Sequence, residues 1–129
     1  LSDYINFLGE RDDIAELMLN YHIVAGVDRV ILEAIASEKP ALMIDSNGIA
    51  GFITEDNIQD AAYRNFSGRN LAKLSFDELS VQYAKLDNLP LKELRKYVEQ
   101  HHSEVLWSQY TNAYLRKTDT RCRMSALLQ

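Results

Sequence analysis

The chain has 129 residues, 47% hydrophobic and 26% charged, a make-up that fits one folded domain or part of a larger one and excludes a disordered polar tail. A formal net charge of −5 leaves no cationic surplus to neutralise phosphates, which excludes broad nucleic-acid binding and leaves room only for a local basic patch. The single cysteine, Cys122, has no intrachain partner, and no stretch shows a leader pattern or the roughly 20 apolar residues of a membrane span, so the cytoplasm is the default compartment.

In chain order, LSDYINFLGERDD runs straight into an apparent strand with neither a capping lead-in nor an initiator Met, which reads as the start of a piece of something longer. Within it, Tyr4 to Gly9 is predicted as a short strand ending at glycine. DDIAELMLNY follows with Ile14, Leu17, Met18 and Tyr21 at helical spacing. His22 to Gly26 (HIVAG) is a short apolar strand, Asp28 to Ser37 a helix, and Pro40 to Asp45 (PALMID) a third strand. Alternation at this pace predicts right-handed crossovers and a parallel sheet, the α/β class with a Rossmann-like fragment.

From about residue 57 the strand signal disappears and a helical C-terminal part begins. SFDE (Ser75 to Glu78) is a capping box ahead of Leu79, Tyr83 and Leu86. Pro90 suits the first turn of a helix carrying Leu91, Leu94 and Val98, and a last helix is expected from about Ser103 to Lys117, with Leu106, Trp107, Tyr110 and Tyr114 for packing. Neither a repeat nor a linker divides the chain, so 1–129 is read as one domain. Three strands make a thin sheet against the usual five or six, which places further strands upstream and predicts an exposed edge where a second copy could pair.

The segment GVDRVILEAIASEKPALMID carries the candidate site. On its helix Val30, Ile31, Leu32, Ala34, Ile35 and Ala36 cover most of the circumference and leave a narrow stripe of Arg29, Glu33 and Ser37. Arg29 stands in the first turn, where the positive helix end disfavours a cation by a few tenths to about 1 kcal/mol, an effect that a bound anion would reverse. Gly26 lets a ligand approach the backbone, free N–H groups at the helix start suit phosphate, and a carboxylate one turn on suits sugar hydroxyls. The plainer reading is an i,i+4 pair on a solvated face, in the weaker orientation with the cation first, beside an ordinary capping Asp28.

These residues carry a resemblance. RVILEAIASEKPALMID is similar to the R-x-x-x-E-A-x-A-x-x-x-P segment and following apolar strand of the C-terminal, donor-binding domain of GT-B fold glycosyltransferases, the group 1, family 4-like enzymes. NGIAGFITEDN and NFSGRN resemble a loop and an N-F-S-G-R element of a subgroup, and SEVLWSQYTNAYLR resembles their closing helix. The resemblance implies that Glu33 binds the ribose hydroxyls of a nucleotide-diphosphate sugar, that Gly26, Asp28 and Arg29 border the pyrophosphate, and that Gly48, Ile49 and Gly51 form a glycine-containing loop near the donor. Backbone freedom alone also accounts for those glycines. Asn65 and Arg69 are weaker candidates, as a turn cap and a surface charge.

It further implies transfer of a sugar from the nucleotide donor, as substrate rather than cofactor, to an acceptor held by an N-terminal domain missing from this chain. That assigns the parent enzyme to surface glycan or polysaccharide biosynthesis, with peripheral membrane association, and this piece alone is expected to be inactive. In such a reaction the donor domain stabilises charge developing on the diphosphate, and Arg29 is the candidate. No catalytic residue is identified. Two departures stand out. Many members carry a further glutamate upstream of this one, with seven residues between the two, where this chain has Ala25, and glycine where it has Glu38, a position that often needs a left-handed backbone.

Other groups point to no chemistry. His101 and His102 are adjacent and lack the spacing of paired metal ligands, so no metal is assigned; His22 reads as a core-edge histidine. NFS formally matches a glycosylation acceptor, without force in a cytoplasmic protein, and the Trp107, Tyr110 and Tyr114 stripe reads as packing. The rival functions are a nucleotide-sugar epimerase of related fold, whose acids and bases are not identifiable in the chain, and a nonenzymatic binding or assembly module with a decayed site.

Overall fold

A computed structural model describes residues 3–102 and 112–118. Its centre is helix α2 (Arg29–Ala36), which follows strand β1 (Val24–Gly26) and leads into strand β2 (Ala41–Asp45). β1 and β2 are parallel, with Val24 opposite Ala41 and Gly26 opposite Met43, so β1, α2 and β2 form one crossover unit. Ile31, Ala34 and Ile35 face the sheet and helix α5 (Leu91–His101) within a core that includes Met43, Ile53, Phe66, Leu94 and Val98. Each fully buried Ile there contributes about 1.5–3 kcal/mol. The opposite side of α2 joins a second cluster, where Val30 and Ala36 meet Ala15 and Met18 of helix α1 (Ile14–Met18) and Ala113 of the helical segment 112–118.

α2 closes in a Schellman motif, which satisfies its last carbonyls. Lys39 N–H donates to Ala34 O at 3.0 Å and Glu38 N–H to Ile35 O at 3.0 Å, with Glu38 left-handed at φ 52°. Glu38 thus takes the left-handed backbone for which glycine is the usual choice at this position. The side chain explains why glutamate stands there: Tyr114 OH donates to Glu38 Oε2 at 2.8 Å and Arg95 Nη1 to Glu38 Oε1 at 3.4 Å, ties that glycine could not make.

The sheet has three strands in the order β1-β2-β3, but its third member differs from the one expected. Strand β3 (Gly48–Phe52) returns antiparallel to β2 through the two-residue turn Ser46-Asn47, with Asn47 N–H bonded to Asp45 Oδ1 at 2.7 Å. Residues 48–52 are therefore a strand and not a loop, and the sheet holds one parallel and one antiparallel pair. Opposite Met43 and Ile44 stand Gly51 and Ile49, which leaves Ala50 as the extra residue of a bulge and puts Gly51 at φ 115°. The predicted strand at Tyr4 to Gly9 is absent: the stretch is turn and irregular chain, with Tyr4 and Phe7 each 93% exposed. A strand needs a ladder partner, and none lies beside this segment among the described residues.

The helical second half is as expected. Helix α3 (Ile58–Tyr63) buries Ile58 and Ala61. Helix α4 (Phe76–Tyr83) starts at the capping box, with Glu78 N–H on Ser75 Oγ and Ser75 N–H on Glu78 Oε2. A 3-10 turn (Leu86–Asn88) precedes α5, for which Pro90 stands at the cap and not inside the first turn. Of the predicted closing helix, 112–118 is helical; Leu106, Trp107 and Tyr110 lie outside the described residues, as does Cys122.

Candidate functional site

Glu33 lies one turn into α2 with its side chain 9% exposed, and Arg29 Nε donates to its Oε1 at 2.6 Å. The guanidinium remains 68% exposed. At 100° per residue Glu33 falls midway between Val30 and Ala36, both packed in the α1 cluster, so it is the chain itself that buries this carboxylate. The stripe continues to Ser37, which is buried with its Oγ lacking a hydrogen-bond partner. It is thus not a solvated face, and only Arg29 reaches water.

The start of α2 is strained. Asp28 has φ 53° and ψ −122°, a region that non-glycine residues enter at a cost of about 1–3 kcal/mol. Its side chain makes no capping bond, which corrects the reading of Asp28 as an ordinary cap. What holds it is its backbone: Asp28 N–H donates to Phe66 O at 2.8 Å, from a loop in which Asn65 and Phe66 are also left-handed. The expected supply of free N–H groups is smaller than the sequence implies. Val30 N–H is taken by Val27 O and Ile31 N–H by Asp28 O, each at 3.2 Å. An anion at this end would rely mainly on the Arg29 side chain.

Gly26 has a packing reason of its own. A Cβ there would stand 2.8 Å from Val30 Cγ1, so the close crossing of α2 over β1 requires glycine whether or not a ligand approaches. Ala25, where the resemblance calls for an acid, is exposed on β1. Gly48 (φ 130°) and Gly51 are hairpin and bulge residues, and Ile49 pairs with Ile44. The structure therefore brings together Arg29, Glu33, Asp28 and Gly26, and sets Gly48, Ile49 and Gly51 in the adjoining hairpin. Arg69 is exposed, and Asn65 belongs to the loop that bonds Asp28.

The sequence reading missed a second ion pair beside this region. Lys73 Nζ bridges Asp45 Oδ2 at 2.8 Å and Gly68 O at 3.0 Å, tying the hairpin to the loop after α3. The Lys73 ammonium, aided by the Asn47 N–H, holds the Asp45 carboxyl below the usual carboxylate range. D-S-N-G is the signal that could have revealed the hairpin, because an Asp/Asn turn ending in glycine between apolar runs is hairpin chemistry.

Three cavities are described, of about 310, 420 and 310 Å³, and neither Arg29 nor Glu33 lines any of them. Among the described residues no group of three or more His, Cys, Asp or Glu could hold a metal ion, and no helix is long and apolar enough to cross a membrane. No family model, curated protein or solved structure matches the chain.

Proposed function

We infer that this chain is part of the donor-binding, Rossmann-like domain of a GT-B fold glycosyltransferase, taking a nucleotide-diphosphate sugar at the start of α2. The observation that carries the reading is the buried Glu33 carboxylate gripped at 2.6 Å by an Arg29 that is otherwise in solvent. Stability alone does not favour this arrangement: the cation sits at the positive end of α2, and in an i,i+4 pair the cation-first order is the weaker one. A diphosphate beside Arg29 reverses the first penalty. Ligands of open α/β sheets bind beyond the carboxyl ends of parallel strands, which is where β1 hands over to α2 through the strained Asp28. The donor cleft of a two-domain enzyme is closed by its other domain, so a surface and not a cavity is the form this half takes alone.

The rival reading, a binding or assembly module with a decayed site, is favoured by Ala25 and by the engaged N–H groups of Asp28, Val30 and Ile31. Calorimetric titration of the chain joined to its N-terminal domain with uridine and guanosine diphosphates separates the two. Donor binding predicts saturable affinity that drops about tenfold or more in Arg29→Ala and in Glu33→Gln, each having lost a charge-assisted contact. Absence of binding by either nucleotide in the folded two-domain protein leaves the module reading in place.

A further inference from the structure

Helix α4 carries an apolar stripe that its own chain leaves largely uncovered. Phe76, Leu79, Ser80 and Tyr83 recur at i, i+3, i+4 and i+7, yet Phe76 is 81% and Tyr83 61% exposed, and no residue of α4 is buried. The helix is held to β3 from another side. At 100° per residue Gln82, which accepts the Phe52 N–H, lies about 110° round the helix from the middle of the stripe. The stripe therefore faces sideways and walls a groove of about 310 Å³ with Leu42 of the sheet on its floor. Leu42 and Ile44 alternate along β2 with buried Ala41 and Met43, which pack with α2, so both belong to the opposite sheet face, where Ile44 is 38% exposed.

We propose that this groove is the contact surface between two copies of the chain, with α4 of each copy laid antiparallel along α4 of the other. The start of α2 takes no part in it, so it stands independently of the donor site.

The order of residues along the stripe carries the assignment, because it is symmetric about the point between Leu79 and Ser80. With a two-fold axis there, Phe76 meets the partner's Tyr83 and Leu79 meets the partner's Ser80, each contact occurring twice. Aromatic pairs close both ends, and the small serine at the crossing lets the helices approach. Its hydroxyl already donates to Phe76 O at 2.9 Å, so covering it leaves no unbonded group. Charge selects the antiparallel direction. A parallel pair would set Asp77 and Glu78 beside their own copies and align the helix dipoles, whereas here Asp77 falls opposite the partner's Gln82 and Glu78 opposite the partner's Val81.

Area sets the strength. At 150–250 Å² for a whole aromatic side chain, the exposed parts of two Phe76 and two Tyr83 supply roughly 400–700 Å². Leu79 and the sheet face around Leu42 and Ile44 bring the contact toward the low end of specific interfaces, about 1,000–1,200 Å², which suits a reversible dimer.

Sedimentation velocity of the 129-residue chain from about 5 to 500 µM tests this. A monomer–dimer equilibrium is expected, weakened about tenfold or more in Phe76→Ser and in Tyr83→Ser, as for central aromatic anchors. Both side chains are exposed in the single chain, so circular dichroism should show the fold retained. In a Cys122→Ser background, Ser80→Cys should give a disulfide-linked dimer on oxidation with diamide, while Val81→Cys, nearly opposite the stripe, should not. A chain that is monomeric at every concentration overturns the proposal, as does cross-linking through Val81→Cys and not Ser80→Cys. A dimer undiminished in Phe76→Ser overturns it too and points to the β1 edge. Monomers that bind anilinonaphthalene sulfonate, and lose it in Phe76→Ser, would make the groove a small-molecule site and equally overturn it.

Discussion

Glu38 shows how one residue can be unfavourable by itself and still be selected by its surroundings. Its φ of 52° is a backbone state that glycine adopts freely and that costs another residue about 1–2 kcal/mol. Its carboxylate, however, satisfies Arg95, which is nearly buried between α5 and α2 and lies over the Tyr114 ring at 4.5 Å. Glu38→Ala keeps the strain and loses the ties, whereas Glu38→Gly loses the ties and relieves the strain. Urea denaturation should therefore find the Gly variant more stable than the Ala variant by about 1 kcal/mol. Equal stabilities would mean that the left-handed backbone is not a cost here. Tyr114 feels the same environment: burial first, then the Glu38 carboxylate, raises its phenol above its usual value.

At the scale of elements, the β2–β3 hairpin depends on one ion pair and one borrowed side chain. Lys73 clamps Asp45 at the turn, while Gln82 of α4 accepts the Phe52 N–H at 2.9 Å and Leu74 N–H donates to Ile49 O at 2.8 Å, so the outer edge of β3 is not left open. Asp45 has its folded-state value lowered by Lys73, so its contribution to stability is present above about pH 4, near its unfolded value, and fades as pH falls through the lower folded value. The urea midpoint of the parent chain should consequently fall more between pH 7 and pH 3 than that of Asp45→Asn; parallel pH profiles would show that the clamp carries no such linkage. α4 itself buries none of its residues and is tied to β3 by the Gln82 hydrogen bond. Its amides should exchange with deuterium well before those of β2, even though its capping box makes it a well-formed helix. Simultaneous exchange of α4 and β2 would show that α4 opens only with the whole domain.

Across the whole molecule, elements whose reasons are local were legible in the sequence, and those whose reasons lie elsewhere in the fold were not. The Ser75 to Glu78 box, α2 and the β1–α2–β2 crossover follow from caps and apolar periodicity within their own residues. Tyr4 to Gly9 has the composition of a strand but, among the described residues, no neighbour to pair with, and β3 was hidden because its glycines look like loop residues until Asp45-Ser46-Asn47-Gly48 is taken as a turn. Within the site, the Arg29–Glu33 stripe could be read from spacing, whereas the Val30 contact that requires Gly26 and the Phe66 carbonyl that holds Asp28 depend on tertiary approach. The same distinction bears on cooperativity, because α2 contributes to two clusters on opposite faces, and Val24 of β1 packs against both. Ile35 is buried against the sheet and α5, and Met18 packs α1 on the other side. Removing either side chain beyond Cβ should cost about 2–5 kcal/mol, a large part of the 5–15 kcal/mol typical of a domain. Because Ile35 and Met18 belong to different clusters, which meet only partly buried Val24 in common, the losses in Ile35→Ala and Met18→Ala should add to within about 0.5 kcal/mol in the double variant. If α2 couples the clusters into one folding unit, each variant melts in a single transition by both far-ultraviolet dichroism and tyrosine fluorescence. A Met18→Ala chain that loses α1 in a separate, earlier step would instead show that the Glu33 carboxylate can be uncovered without unfolding the sheet.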